Sequence, residues 1–137
     1  MSDLVAAEVI VPVQRDADIV AARQQGRELA AAAGVTGSEL TMVATAISEV
    51  ARNILLYAEK GEIVIEVEEQ GGRRGVCVVA RDAGPGIADI DLAMRDGYST
   101  GKSLGLGLPG ARRLMDEFGI TSELGKGTTV TMRKWAR

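Results

Sequence analysis

Apolar residues change their spacing several times along this chain, and each change predicts an element. "EVIVPV", from Glu8 to Val13, is β-branched and reads as a strand, with Pro12 near its end or on a sheet edge. Asp16 or Asp18 then stands where a helix cap is needed, ahead of "IVAARQQGRELAAAA", a helix that Gly34 stops. Ser38, with Glu39 and Thr41 close behind, opens a second helix that runs to about Ala58. Its Leu40, Val43, Ala44, Ile47, Ala51, Ile54 and Ala58 recur at helical spacing, so one face is expected to be buried.

The period then shortens. "GEIVIEVEE", from Gly61 to Glu69, alternates apolar and acidic positions, the mark of a half-exposed strand. "QGGRR" makes a turn, and "GVCVVARD" returns as a more buried strand. Farther on, the pattern predicts a short helix from Asp89 to Arg95 and a longer one from Leu108 to Phe118, with Pro109 tolerated in its first turn. "GITSEL" and "TTVTMRKW" close the chain as two strands joined by "GKG". This order predicts an α/β (α+β) two-layer sandwich, with helices on one face of a mixed, largely antiparallel sheet.

Composition narrows the class. At 137 residues the expectation is a single domain over 1–137, without linker, repeat or low-complexity segment. Aromatics make up only 3% of the chain, which argues against base-stacking nucleic-acid modules. The net charge of −3 supplies no basic field for a phosphate backbone or an anionic membrane. Neither nucleic acid nor membrane is therefore expected as a partner. The one cysteine, Cys77, excludes an internal disulfide and reads as a small buried hydrophobe. The absence of histidine removes His-based triads, most zinc sites and a phosphohistidine relay. The N-terminus does not read as a signal peptide, and no apolar run has membrane-spanning length, so a cytoplasmic protein is expected.

Four polar or glycine-rich clusters carry candidate chemistry. In "SEVARN", Glu49 and Asn53 stand four apart on the second helix, only about 40° past a full turn, so both project from the face opposite the apolar stripe. A carboxylate there can accept a proton and a carboxamide oxygen can serve a hard cation such as Mg²⁺. The plain alternative is a solvated Glu49 paired with Arg52. In "DAGPGI", Gly84 and Gly86 bracket Pro85, so the chain turns tightly and can pass close to a ligand. Asp82 is the carboxylate of that turn and, as a pure acceptor, suits an exocyclic amine; an ordinary turn closing a strand is the alternative.

In "GKSLGLGLPGARRL", Gly105, Gly107 and Gly110 lead into a helix whose first amides attract anions. The spacing fits neither a dinucleotide fingerprint nor a phosphate loop. The polar stretch "RDGYSTGKS" just upstream has the composition of a cover over a ligand. "GKGTTV", the fourth cluster, is on its own equally a hairpin turn.

Taken in order, "E-x-x-x-N", "D-x-G-x-G", "G-x-G-x-P-G" and "G-x-G-T" resemble the ATP-binding boxes of the GHKL superfamily, from about Asp16 to the C-terminus. The resemblance implies the Bergerat α/β sandwich, with ATP and Mg²⁺ as cofactors. It implies that Asp82 binds the adenine amino group, with Thr128 supporting that contact through water. Gly84 and Gly86 would shape the base pocket, and Gly127 would complete the ATP-binding set with Thr128. Asn53 would hold Mg²⁺ and Glu49 would be the general base. Gly105, Leu106, Gly107 and Leu108 would hold phosphates beneath a lid around Ser99 to Ser103, where Lys102 could touch a phosphate.

Within that superfamily, "DIVAARQQGRELA", "TAISEVARNI", "RLMDEFGI" and the terminal "KWAR" look similar to the stand-alone serine/threonine switch kinases of the bacterial stressosome. That resemblance implies transfer of the ATP γ-phosphate to a serine or threonine of a STAS-domain partner. It also implies binding and activation of a PP2C-type phosphatase after release. The alternative is the anti-sigma branch, which binds a sigma factor and phosphorylates its STAS antagonist; "ILLYAEKGEI" departs from that branch's pattern. A non-catalytic adaptor is the remaining alternative, and the presence of Glu49 and Asn53 speaks against it.

Overall fold

The computed structural model describes residues 8–94 and 107–137. Within them the chain forms β1 (Glu8–Val13), α1 (Asp16–Ala32), α2 (Ser38–Tyr57), β2 (Gly61–Gln70), β3 (Arg73–Asp82), α3 (Ile90–Ala93), α4 (Gly107–Leu114), β4 (Glu117–Glu123) and β5 (Gly127–Trp135).

Local chemistry accounts for most boundaries. Asp18 reaches back from the first turn of α1 to accept the backbone N–H groups of Gln14 (2.8 Å) and Arg15 (3.2 Å), while Asp16 is the first helical residue. Gly34 ends α1 at φ 99°, with Val35 N–H donating to Ala30 and Gly34 N–H to Ala31, the crossed pair that closes a helix on a left-handed residue.

The turn after β2 is tighter than "QGGRR" predicts. Gly71 and Gly72 alone carry it at φ 55° and 82°, and Gln70 pairs with Arg73 across the ladder. The predicted helix from Leu108 to Phe118 is shorter too, because α4 stops at Leu114. Asp116 N–H donates to Arg133, and Phe118 lies opposite Met132, so the sheet captures residues whose local pattern suits a helix. Lys134, although cationic, is buried and its ammonium donates to the Leu114 carbonyl at 2.8 Å, closing the helix end. The predicted helix from Asp89 to Arg95 contracts to four residues; Arg95 lies outside the described residues.

The five strands stand in the order β1-β2-β3-β5-β4, and every pairing is antiparallel rather than mixed. Two helices between β1 and β2 carry the chain out and back, so β2 starts where β1 ended, with Val13 opposite Gly61. β3 and β4 run the same way, but β5 inserts between them. Strands of like direction therefore never pair.

α1 and α2 cover one face of this sheet. Their Ala22, Leu29, Val43, Ile47 and Val50 meet Val13, Ile63, Ile65, Val78 and Met132 in one core. Each fully buried Val, Ile or Met contributes about 1.5–3 kcal/mol relative to an exposed one. Gly26 leaves room on α1 for Ile47 of α2, because a Cβ there would overlap the end of that side chain. Among the described residues, no helix is long and apolar enough to cross a membrane.

Candidate functional site

Asp82 is the last residue of the central strand β3 and is half-buried. Its Oδ1 accepts the Gly84 N–H at 2.9 Å and the Thr128 N–H at 3.3 Å. No described residue bonds its Oδ2. One oxygen thus anchors the side chain and the other remains an acceptor.

The turn that follows is clamped to the β4–β5 hairpin. Gly125 N–H donates to the Pro85 carbonyl at 2.9 Å, and Ile87 N–H to the Ser122 hydroxyl at 2.7 Å. The glycines of this region bring chain against chain. A Cβ on Gly86 (φ 81°) would overlap the Glu123 carbonyl, and one on Gly127 (φ 126°) would overlap the Asp82 carbonyl. Gly84 packs on Ala58, the residue after α2, and so ties this turn to the helix that carries Glu49 and Asn53.

Thr128, buried at 6% exposure, pairs with Asp82 across the β3–β5 ladder. Its hydroxyl lies 2.8 Å from that of Ser122 on β4. Ser122 is the polar residue of this cluster that the sequence reading passed over. The signal was present: once "GKG" is taken as a hairpin turn, Ser122 falls opposite Thr128 in the register.

Glu49 and Asn53 do share one side of α2, but that side is not solvated. α4 packs over it with Leu108 and Ala111 buried, and Glu49 is only 7% exposed. Its Oε1 accepts the backbone N–H of Gly107, the first residue of α4, at 2.9 Å. Its Oε2 pairs with Arg52 at 3.1 Å, so of the plain alternative the ion pair exists and the solvated setting does not. The carboxylate stands at the positive end of the α4 dipole. Asn53, one turn on, is half-buried, and among the described residues nothing bonds its carboxamide.

Gly107 and Leu108 are the first two residues of α4, and Pro109 is the third, where its missing N–H costs little. Gly105 and Leu106, the cover around Ser99 to Ser103 and its Lys102 lie outside the described residues. The predicted set therefore falls into two groups. Asp82, Gly84, Gly86, Gly127 and Thr128 form one hydrogen-bonded and packed cluster, and Glu49 with Gly107 forms the other. α2 joins them through Ala58, and no described contact links Glu49 to Asp82 directly.

Away from both groups, on the sheet face opposite α1 and α2, Glu66, Glu68 and Cys77 bring their ligand atoms within 4.8 Å of one another. Glu68 is already held by Arg133 at 2.8 Å. Burial, followed by the charge of Glu68, pushes the Cys77 thiol up to about 11, so it behaves as the small buried group its setting in "GVCVVA" implied.

Compared with known families, residues 13–134 match the Histidine kinase-like ATPase domain. The chain is 50% identical over 127 residues to the serine/threonine-protein kinase RsbT of Bacillus subtilis (strain 168), covering 93% of this chain and 96% of that protein. It is 34% identical over 103 residues to the anti-sigma F factor of Clostridium kluyveri, covering 72% of each chain. A similar match, 35% over 106 residues and 72% of this chain, joins it to the anti-sigma F factor of Geobacillus thermodenitrificans, of which it covers 71%.

Proposed function

The chain belongs to the histidine kinase-like ATPase family and is an ATP-dependent serine/threonine kinase, and on that premise we propose that it acts in a bacterial partner-switching pathway of the stressosome kind. Its substrate is a serine or threonine of a STAS-domain partner, which receives the γ-phosphate of ATP. Once released from that partner, the kinase binds and activates a PP2C-type phosphatase. The work is cytoplasmic and involves neither nucleic acid nor membrane. One observation carries the reading. The Thr128 N–H donates to Asp82 Oδ1 and the Gly107 N–H to Glu49 Oε1, which supports a base-facing pair in one turn and a proton acceptor at the start of α4.

Each group has a task in this reading. Asp82 Oδ2 and the neighbouring Thr128 hydroxyl face the adenine amine, and Gly84, Gly86 and Gly127 let the turns close tightly enough to form the base pocket. Gly105, Leu106 and Leu108 would meet the phosphates with backbone N–H groups, as helix starts do, while the Gly107 N–H is held by Glu49. Glu49 accepts the proton of the substrate hydroxyl, and Arg52 and the Gly107 N–H orient its two oxygens. Asn53 fits a hard cation: its carboxamide oxygen has no partner among the described residues and stands one turn from Glu49. Asn53 would hold Mg²⁺, whose charge offsets that of the triphosphate when it is bound.

The anti-sigma relatives favour a second reading, in which the chain binds a sigma factor and phosphorylates that factor's STAS antagonist. They align over 72% of this chain, against 93% for RsbT, so the stressosome reading stands first. Incubation with γ-labelled ATP, Mg²⁺ and a panel of STAS-domain proteins tests it. Label on a serine or threonine of one partner is expected, together with capture of a PP2C-type phosphatase. Capture of a sigma factor in its place would favour the second reading.

A further inference from the structure

Ser122 has a chemistry that its place on β4 makes unusually well determined. A serine hydroxyl has one proton to donate and two lone pairs to accept with, and Ser122 Oγ makes three contacts. The Ile87 backbone N–H lies 2.7 Å away and can only donate. The Gly127 carbonyl lies 3.1 Å away and can only accept, so it takes the Ser122 proton. The third neighbour, Thr128 Oγ1 at 2.8 Å, must then donate to the lone pair that remains. The reverse direction would leave the Gly127 contact without a proton. Only one assignment makes all three contacts hydrogen bonds.

The consequence falls on Thr128. Its backbone N–H is spent on Asp82 Oδ1, and its hydroxyl proton is spent on Ser122. What Thr128 Oγ1 retains is lone pairs. The adjacent Asp82 Oδ2 is likewise an acceptor, since Oδ1 takes the N–H groups of Gly84 and Thr128. With both facing the 6-position, as in the proposed reading, two acceptors match the two N–H bonds of an amino group and repel an oxo oxygen.

We propose that Ser122 is a specificity-determining residue, one that fixes the Thr128 hydroxyl as an acceptor and so selects a 6-amino over a 6-oxo purine nucleotide. It does this without touching the nucleotide. The inference rests on the reading of Asp82 and Thr128 as the base-facing pair.

The test compares ATP with inosine triphosphate, whose base differs at the 6-position and in the proton on N1. In Ser122→Ala the Thr128 proton is released and can turn toward an oxo group. The ratio of ATP to inosine triphosphate affinity is expected to narrow by about tenfold, the size of one misdirected hydrogen bond. Ser122→Thr keeps the hydroxyl and should keep the wild-type ratio. Thr128→Val should narrow the ratio alone, and adding Ser122→Ala to it should change the ratio no further.

A wild-type ratio in folded Ser122→Ala overturns the proposal, as does a Ser122 effect that persists in the Thr128→Val background. If Ser122→Ala does not fold, Thr128→Val decides: an unchanged ratio there is equally fatal. Wild-type ATP affinity in Asp82→Asn would instead remove the base-facing pair itself, and the proposal with it.

Discussion

The Gly107 backbone N–H donates to Glu49 Oε1 across 2.9 Å, which joins residues 58 positions apart at the mouth of α4. A carboxylate there satisfies one of the helix's unpaired amides and lies against its dipole, so it stabilises the element proposed to meet the phosphates. In the proposed reading the same carboxylate is also the proton acceptor.

That double role separates two substitutions. Glu49→Gln retains an oxygen for Gly107 but loses basicity and charge, so its thermal midpoint should fall less than that of Glu49→Ala while phosphotransfer falls by about a hundredfold or more. Glu49→Ala should lose both transfer and about 1 kcal/mol of stability through the missing cap. Parallel melts and transfer assays check this, and wild-type transfer in Glu49→Gln would remove the base assignment.

In the turn after β3, Asp82→Asn keeps an oxygen for the Gly84 and Thr128 amides and replaces the remaining acceptor with a donor. ATP affinity should weaken about ten- to hundredfold, as expected for a lost hydrogen bond to a charged group. Titration calorimetry reads it directly.

Gly127→Ala addresses the close approach of the two turns. The residue sits at φ 126°, and an added Cβ would overlap the Asp82 carbonyl, which as backbone cannot swing aside. A loss of about 2–3 kcal/mol is expected in urea unfolding, accompanied by weaker ATP binding. A variant as stable as wild type would show that the turns do not need this contact.

Glu66 predicts a pH dependence. Burial first, and then the hydrogen bond and charge of Glu8, raise its folded pKa above the ordinary 4.5. A group raised in the folded state binds its proton better there, so its carboxylate form costs stability as pH rises through and above the unfolded value. Glu66→Gln should therefore be more stable than wild type near about pH 7 and equal to it near about pH 3, where both states are protonated. Denaturation midpoints across that range test the sign; a constant difference would contradict it.

Much of this protein is written locally. The Schellman closure at Gly34 and the order of strands and helices follow from side chains within a few residues of one another, and so does the existence of the β2–β3 hairpin. Asp82, Gly127 and Thr128 were read together from their order along the chain, and the structure brings these three against one another. What a single stretch does not encode is which distant surface will cover it.

α4 ends at Leu114 because β5 supplies partners for Asp116 and Phe118, outweighing a helical pattern that continues past it. Glu49 is buried because α4 lies on α2, although its own neighbours suit a solvated helix face. The direction of the hydrogen bond between Thr128 and Ser122 needs Ile87 and Gly127 brought to the same hydroxyl. The closure of α1 at Gly34 depends on φ, ψ and the next few residues, so sequence alone determined it. Burial and proton direction depend on which chain segments meet across the sheet, and only the tertiary structure decided those.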